Sequence, residues 1–404
     1  MFSGKNCSYR YLFVDNDGEL RGKIRYEYPL ERLMDNAGLK IPATDILGST
    51  PVIPVSTILP NWSYDGSSTG QAETGNSEVI ITPMGLFFDP FVDNGYVVLT
   101  ETFIPDPDDD TRLIPHPTNN RILSRQLLEN AQVADQEPWF GIEQEFTLFN
   151  SDLQLPYMWN SGHNPYGSTS PELVGQHRYY CAFGGDRSYG RQLVATAAAK
   201  ALEMGLQISG TNAEVMASQW EIQVGPCRLV EIGDHLLLTR WVLRMVSEQS
   251  TLSTPSAGVS FAPKPWGADW NGSGGHTNFS TRAMRGEDPT QNAWVAINQG
   301  IKRLSTRHRL HMDVYGKGNE ERMTGDCETA SYDTFSYGVA SRKASIRIPR
   351  QVYLDRKGYI EDRRPAGNLE PYLVTNRLVA SICLDSDEIN PSTNPIEQSV
   401  SVNE

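Results

Sequence analysis

Two glutamates share one face of an otherwise apolar predicted strand, PWFGIEQEFTLF, which runs from Pro138 to Phe149. Apolar side chains occupy the even positions of this strand, whereas Glu143 and Glu145 occupy odd positions. Because alternate residues of a strand point to the same face at a rise of about 3.3 Å per residue, the two carboxylates stand roughly 6–7 Å apart. Like charges so close together resist burial, so the pair indicates a bound cation.

Four further residues repeat this pattern of a ligand-forming side chain among apolar or small neighbours, namely Glu214, Glu221, His276 and Glu361. Carboxylates with one imidazole are hard ligands that suit Mg²⁺ or Mn²⁺ in the company of phosphate. For any one of these residues alone, a salt-bridged or edge-strand carboxylate is the simpler interpretation. The six together favour a divalent metal site.

Arginines form a second group, comprising Arg322, Arg342, Arg347, Arg350 and Arg363. The planar guanidinium binds phosphate and carboxylate groups through paired hydrogen bonds. The simpler interpretation, a lone arginine on the surface, fits Arg350 better than Arg347. The glycine-rich NGSGGH lacks the ending of a P-loop, and DGSSTGQAE predicts an Asx turn. Metal ligands and arginines without a familiar nucleotide motif indicate a metal-dependent phosphoryl or acyl-phosphate reaction. A two-carboxylate hydrolase would leave most of these groups without a role.

Composition restricts the class of protein. The 404 residues carry 35 basic and 49 acidic side chains, a formal charge of −14, which argues against nucleic acid or an anionic membrane as the main partner. Five scattered cysteines form no CxxC pair, as in a reduced protein. No apolar run reaches the ~18–20 residues of a membrane span, and the N-terminus lacks the apolar core of a secretory signal. We therefore expect a cytoplasmic location.

The elements that must position these residues fall into two regions. The first part of the chain predicts strands in YRYLFVD, GKIRYEY, EVIITPM and YVVLTETF, which are joined by turns such as DNDG. Leu39 to Pro60 is irregular, and the acidic, proline-rich stretch from Pro105 to Pro117 predicts a linker or long connecting loop.

Beyond that stretch, helices alternate with strands. Apolar spacing predicts helices in NRILSRQLLENAQVA, in RQLVATAAAKALEMG up to Gly205, around Ala293 to Leu304, and in EPYLVTNRLVASICL. Asp234 is the expected N-cap of HLLLTRWVLRMVSEQ. The polar residues 385–404 predict a disordered tail. The fold class is α+β, with a small β domain followed by a large α+β domain.

These residues together resemble the glutamine synthetase family in its eukaryotic type. The matching segments run in family order along nearly the whole chain: LPNWSYDGSSTGQAE, PWFGIEQEFTLF, YYCAFGGDRSYGR, GTNAEVMASQWEIQVGPC, ADWNGSGGHTNFST, ASIRIPR and GYIEDRRPAGN. The resemblance implies an N-terminal β-grasp domain over residues 1–117. It also implies a catalytic domain over residues 118–384, whose curved antiparallel sheet forms a funnel-shaped active site. Homo-oligomers of two stacked pentameric rings, with active sites between subunits, are implied as well.

The reaction implied by the resemblance is the ATP-dependent ligation of ammonia to L-glutamate, which gives L-glutamine through a γ-glutamyl phosphate. It uses two or three divalent metals, Mg²⁺ or Mn²⁺. One metal site resembles Glu145, Glu214 and Glu221. The second resembles Glu143, His276 and Glu361.

The resemblance also assigns substrate contacts. For glutamate these are Glu145, Asn271, Gly272, Arg322 and Arg363. For the nucleotide they are Trp139, Pro226, Arg342, Arg347 and Tyr359. Ammonium is expected near Asp65 and Ser68 of the adjacent subunit, with Glu328 in a flap that excludes water. Asp65, Glu328 and Arg342 are the expected catalytic residues.

The sequence departs from the family pattern at four places near these residues, one of which is TASYDTF directly after Glu328. Glu321 replaces the first of two arginines, Cys327 precedes the retained Glu328, and Gly275 precedes His276 where cysteine is common. No metal ligand is lost. A γ-glutamyl ligase that uses another amine, and a catalytically silent structural homologue, remain as alternatives.

Overall fold

The computed structural model divides the chain into two units. Among the described residues, the first unit runs to Gln126 and includes Glu203–Gly205, and the second holds Leu127–Leu202 and residues 206–389. The structure describes residues 6–40, 43–48, 54–150, 156–157, 178–185, 187–249, 256–267, 270–326 and 329–389. The tail predicted from residue 385 lies mostly outside these ranges. The domain boundary after residue 117 stays a prediction.

A mixed sheet forms the first unit, as its aromatic and β-branched segments predict. Its strands are β1 (Cys7–Val14), β2 (Leu20–Glu27), β3 (Trp62–Asp65), β4 (Glu78–Phe88), β5 (Gly95–Asp106) and β6 (Asp109–Pro115), with helix α1 at Leu30–Asn36. The order is β2-β1-β5-β4-β3, and β6 pairs with β5. Only β1 and β5 among these described strands run parallel. Tyr9, Tyr11, Phe13, Val79 and Val98 contribute to the buried core.

The predicted loop from Pro105 to Pro117 is wrong. β5 continues to Asp106, and β6 returns antiparallel beside it, so that Phe103 lies opposite Pro115. Pro105 and Pro115 both lie near the ends of their strands, where the missing backbone N–H group of proline disturbs the sheet least. The described residues between Leu39 and Pro60 are largely irregular, as predicted, with short 3₁₀ turns at Ala43–Ile46 and Val55–Thr57.

A second sheet organises the second unit. Its strands are β7 (Trp139–Phe149), β8 (Ile208–Ala213), β9 (Gln219–Cys227), β10 (Gly258–Ser260), β11 (Gly275–Ser280), β12 (Tyr337–Val339), β13 (Ile346–Ile348) and β14 (Ile360–Asp362). The order is β12-β13-β14-β11-β7-β9-β8, and β10 pairs with β7. Of these described pairings, all but β12 with β13 are antiparallel.

The remaining described α-helices follow β6 in the chain, and several of them pack against the apolar face of the second sheet. They are α2 (Asn120–Glu129), α3 (Ala131–Gln136), α4 (Arg191–Glu203), α5 (Leu229–Glu248), α6 (Ala293–Thr306), α7 (His308–Met312), α8 (Asn319–Arg322), α9 (Arg350–Asp355) and α10 (Pro371–Ile382). Phe140 and Ile142 of β7 belong to one core with Leu236 of α5 and Leu378 of α10. The predicted α+β class is confirmed. In the part of the chain that the structure describes, no helix has the length and apolarity needed to cross a membrane.

The N-cap predicted at Asp234 is wrong. Helix α5 begins at Leu229, five residues before Asp234, where the Glu231 side chain accepts a hydrogen bond from the backbone N–H of the N-cap residue Arg228. Asp234 is fully buried inside the helix and accepts a hydrogen bond from the Tyr372 hydroxyl. The long helix predicted after Asn120 is interrupted at Asn130, whose side chain caps α3.

Candidate active site

Strand pairing gathers five of the six predicted metal ligands on neighbouring strands. On β7, Glu143 lies opposite His276 of β11, and Glu145 lies opposite Glu221 of β9. Glu361 of β14 lies two strands from β7, across Asn278. Because β7 keeps the predicted alternation, Phe140, Ile142, Phe146 and Leu148 are buried on the opposite face.

The ligand atoms lie close enough to hold cations. Nδ1 of His276 is 3.4 Å from Oε2 of Glu143, 3.8 Å from Oε1 of Glu361 and 3.9 Å from Oε1 of Glu145. Glu143, His276 and Glu361 form one group whose ligand atoms lie within 4.8 Å of one another, and Glu145, Glu221 and His276 form another. Burial lowers the pKa of His276 to about 4, so its imidazole is neutral and able to act as a ligand.

Neutral donors orient four of the carboxylates. Asn278 donates to Glu143 (2.9 Å), the Gly274 N–H to Glu145 (2.8 Å), Asn212 to Glu214 (2.8 Å), and Gln223 to Glu221 (2.7 Å). Among the described residues, none of these four carboxylates forms an ion pair with arginine or lysine. Burial, followed by repulsion from Glu145, raises the pKa of Glu214, and burial with Glu143 and Glu145 raises that of Glu221. Oriented but uncompensated carboxylates fit divalent cations.

Glu361 differs from the other carboxylates because it is already paired. Its oxygens accept hydrogen bonds from Arg347 at 2.8 Å and Arg363 at 2.6 Å, and the residue is 1% exposed. Arg347 and Arg363 therefore stand beside the metal ligands.

Arg322 is held by the backbone that follows Glu361. Its Nη2 donates to the carbonyls of residues 363, 364 and 365 at 2.8–3.1 Å, and its Nε donates to Asn319. A Cβ on Gly272 would lie 2.6 Å from Cγ of Arg322. Glycine at 272 thus lets the arginine reach the site.

These groups line one cleft of about 260 Å³ in the second unit. Its lining includes Glu143, Glu145, Glu214, Glu221, Asn271, Gly272, His276, Arg322, Arg342, Arg347 and Arg363. Tyr180, which sequence reasoning missed, also lines it, and its hydroxyl accepts a hydrogen bond from Arg342 at 3.3 Å. The cleft combines four uncompensated carboxylates with four arginines.

A neighbouring apolar cleft of about 380 Å³ contains the residues predicted to contact the nucleotide base. Trp139, Pro226 and Tyr359 all line it, with Phe279 behind. Arg285, which sequence reasoning missed, lies over the Trp139 ring at 4.2 Å from the centroid. An aromatic ring beside a guanidinium is a surface on which a flat base can stack.

Asp65 and Ser68 lie in the first unit, at the turn after β3. The Asp65 carboxylate accepts hydrogen bonds from the Ser67 and Ser68 hydroxyls at 2.6 and 2.7 Å, and from the Ser67 N–H at 3.0 Å. These bonds lower the pKa of Asp65 to about 2. The exposed carboxylate therefore stays ionised. Glu328, the third predicted member of the ammonium site, lies outside the described residues.

Two departures from the family pattern now have a location. Glu321 points to solvent while Arg322 beside it is buried, so the substitution lies outside the cleft. At Gly275, a Cβ would lie 2.2 Å from Leu369, so this glycine suits its local packing. Cys327 lies outside the described residues.

Sequence reasoning missed the neutral donors, although a signal existed. Asn212 and Gln223 each stand two residues from a ligand, Glu214 and Glu221, which is the spacing of one strand face. Gln219 is fully buried and donates to the Gly272 carbonyl at 2.9 Å while accepting from Asn271 at 3.1 Å.

A second ligand-like cluster, Cys227, Glu231 and His235, lies at the start of α5. Nδ1 of His235 accepts the Gln207 N–H at 3.0 Å, and Glu231 caps the helix. His235 and Glu231 are thus both hydrogen-bonded to backbone N–H groups, and we interpret the cluster as structural.

Comparison with known proteins agrees with this site. Residues 118–296 match the family described as glutamine synthetase, catalytic domain. The chain is 46% identical over 327 residues to a chloroplastic glutamine synthetase of Daucus carota, covering 81% of this chain and 70% of that protein. It is 43% identical over 321 residues to cytosolic isozyme 1-1 of Oryza sativa subsp. japonica, covering 79% and 84%.

Solved structures share the fold. One described as apo GmaS without ligand gives a TM-score of 0.63 at 18% identity, over 94% of this chain and 77% of that one. A GmaS/ADP complex gives 0.65 at 16% identity, over 96% and 81%.

The relatives correct the predicted cytoplasmic location, which was wrong. Relatives from Daucus carota, Zea mays, Oryza sativa and Hordeum vulgare are named chloroplastic. Free cysteines distinguish a reducing compartment from an oxidising one, and they do not separate the cytosol from other reducing compartments.

Proposed function

Because this chain belongs to the glutamine synthetase family, we propose that it ligates ammonia to L-glutamate with ATP, giving L-glutamine. One observation carries the proposal: four uncompensated carboxylates and four arginines line the same cleft. Negative substrates such as ATP and glutamate need the arginines, and the carboxylates need cations to accompany the phosphates.

Two groups of residues would hold the metals. Glu145, Glu214 and Glu221 would bind one divalent ion, and Glu143, His276 and Glu361 another. Mg²⁺ or Mn²⁺ there supplies positive charge that neutralises phosphate oxygens and favours phosphoryl transfer. The neutral donors from Asn212, Gln223 and Asn278 fix one oxygen of a carboxylate each, which orients the ligands before substrate arrives.

Nucleotide binding would use both clefts. Trp139, Pro226 and Tyr359 would contact the base in the apolar cleft, and Arg342 and Arg347 would bind phosphate oxygens in the polar cleft. Since Arg347 already pairs with Glu361 at 2.8 Å, its guanidinium is oriented before the nucleotide enters.

Glutamate would bind through Arg322 and Arg363, with Asn271, Gly272 and Glu145 alongside. Arg322 has Nε and Nη2 engaged with protein oxygens. Burial lowers its pKa to about 10, so it remains a cation at neutral pH. The γ-carboxylate of glutamate would attack the γ-phosphorus of ATP, forming γ-glutamyl phosphate and releasing ADP.

Ammonium would bind at Asp65 and Ser68 of the adjacent subunit, with Glu328 in a flap that keeps water out. The low pKa of Asp65 keeps it anionic, so it attracts the ammonium ion. Asp65 would accept a proton from the ammonium ion. The ammonia so formed would attack the γ-carbonyl carbon of γ-glutamyl phosphate, and the bond from that carbon to the phosphate oxygen would break, releasing phosphate.

The test follows both products with the full chain, Mg²⁺, ATP and glutamate. We expect phosphate release and glutamine formation to rise together when ammonium is added. Turnover with methylamine while ammonium is inert would indicate another γ-glutamyl ligase. Binding of neither nucleotide nor Mg²⁺ would indicate a catalytically silent homologue.

We also propose that the chain forms two stacked pentameric rings. The support is the family resemblance, and the native mass of the particle tests it. A mass of ten chains is expected, and a monomeric mass would contradict the proposal.

A further inference from the structure

One buried side chain, Gln71, ties the turn that carries Asp65 and Ser68 to the rest of the first unit. It acts beside two backbone hydrogen bonds, from the Gly66 N–H to the Ser77 carbonyl and from the Asn16 N–H to the Thr69 carbonyl. Oε1 of Gln71 accepts hydrogen bonds from the Tyr64 hydroxyl at 2.6 Å and the Thr69 hydroxyl at 2.8 Å. Tyr64 immediately precedes Asp65, and Thr69 ends the turn. The acceptor oxygen thus fastens both ends of the segment.

The amide nitrogen of Gln71 fastens the same segment to the sheet. Nε2 donates to the Val14 carbonyl at the end of β1, at 3.1 Å, and to the Thr118 hydroxyl at 2.9 Å. The Gln71 carbonyl accepts from Nε2 of His116 at 2.9 Å. Gln71 is 7% exposed, and its four side-chain hydrogen bonds use the full capacity of a primary amide.

The turn itself has little room to move. A Cβ on Gly66 would lie 2.5 Å from Val79, and Gly70 adopts a φ of +72°. The Gln71 N–H bonds to the Gly66 carbonyl at 2.8 Å. The Asp65 carboxylate, in contrast, is exposed and accepts hydrogen bonds mainly within the turn, from Ser67 and Ser68, with Ser77 just before β4 as a weaker partner. The position of its carboxylate therefore depends on what anchors the turn.

We propose that Gln71 is a positioning residue that holds the Asp65–Thr69 turn in the form that binds ammonium. The role in ammonium binding rests on the proposed function. Misplacement of a binding group by about 1 Å can cost about a hundredfold in rate, so loss of this anchor acts on ammonium before it acts on the other substrates.

Gln71→Met is the main test, because methionine keeps the length of the side chain and removes all four hydrogen bonds. We expect the KM for ammonium to rise about tenfold or more, with the KM values for glutamate and ATP within about twofold of the wild-type values. Tyr64→Phe removes one of the four bonds and keeps the ring stacked on Phe13, 3.9 Å between centroids. It should shift the ammonium KM in the same direction by less.

Thr100→Val is the matched control, since it removes a buried hydrogen bond to the Leu12 carbonyl in the same sheet, away from the turn. It should leave the ammonium KM unchanged. Equal KM values for ammonium in wild type, Gln71→Met and Tyr64→Phe would overturn the proposal, as would an equal rise in Thr100→Val.

Hydrogen exchange of the peptide covering residues 65–72 provides a readout independent of turnover. Faster exchange in Gln71→Met confined to this peptide supports the anchor, and unchanged exchange overturns it. If wild type shows no ammonium-dependent turnover, the proposed function fails, and exchange still decides whether Gln71 holds the turn.

Discussion

Replacing Glu221 with glutamine should stabilise the protein without metal and weaken it with metal. Glu221 is 6% exposed, and its hydrogen-bond donor is the neutral amide of Gln223, 2.7 Å away. An uncompensated buried carboxylate costs several kcal/mol, of which one good hydrogen bond recovers about 2 kcal/mol. Since glutamine can still accept from Gln223, we expect the variant to gain about 2 kcal/mol, or about 2–4 °C in Tm for a protein of this size.

Whether Glu221→Gln stabilises or destabilises the protein depends on the pH and on bound metal. Burial and the neighbouring carboxylates raise the pKa of Glu221 in the folded state. Below the unfolded pKa the carboxyl is protonated in both states and costs nothing, and the cost appears as the pH rises through the folded pKa. The gain should thus be present at alkaline pH and vanish near about pH 4. With Mg²⁺ at about 100 times its Kd, wild type gains about 2.7 kcal/mol, and the variant gains less because a ligand is lost.

Thermal unfolding in chelator and in excess Mg²⁺ measures both effects. Glu101→Gln is the control, because Glu101 is equally buried but pairs with Arg121 and Arg125 at 2.9 Å. It should destabilise under both conditions. If Glu221→Gln lowers the Tm in chelator as Glu101→Gln does, the reasoning about uncompensated charge is refuted.

Three further substitutions test separate parts of the account. Trp139→Ala should raise the KM for ATP about tenfold, since stacking on a base contributes about 1–3 kcal/mol, and an unchanged KM would remove Trp139 from the nucleotide site. Gly272→Ala should raise the KM for glutamate, because its Cβ would lie 2.6 Å from Arg322; a normal KM would show that the arginine need not approach so closely. Asp362→Asn should lower the free energy of unfolding in urea by about 3 kcal/mol, because it removes the negative charge that the fully buried Arg364 pairs with. A change below about 1 kcal/mol would contradict that pairing.

Strand parity was sufficient for the residues that alternate within one strand. It placed Glu143 and Glu145 on one face of β7 and Glu221 on the polar face of β9, because a period of two is a local property. Glu214 lies just after the end of β8, so the alternation of a strand does not predict which way its side chain points. Its place beside Glu145 and Glu221 depends on the pairing of β8 with β9.

Contacts between distant segments were not predictable from local patterns. Arg322 is fixed by three carbonyls about 41 to 43 residues later in the chain, and such bonds follow from tertiary packing. The start of α5 was predicted wrongly for a related reason. Aspartate is a preferred N-cap residue, but Asp234 is buried within the helix and bonds to Tyr372, which is distant in the sequence. The β5–β6 hairpin was missed because proline and acidic residues are typical of loops.

The most direct test of the central claim follows oxygen from glutamate to phosphate. Glutamate labelled with heavy oxygen in its γ-carboxylate is incubated with the protein, Mg²⁺, ATP and ammonium, and the released phosphate is examined by mass spectrometry. If the γ-carboxylate attacks ATP in the cleft of carboxylates and arginines, each phosphate released with a glutamine carries one labelled oxygen. Unlabelled phosphate, with glutamine formed or not, would contradict the proposed acyl phosphate.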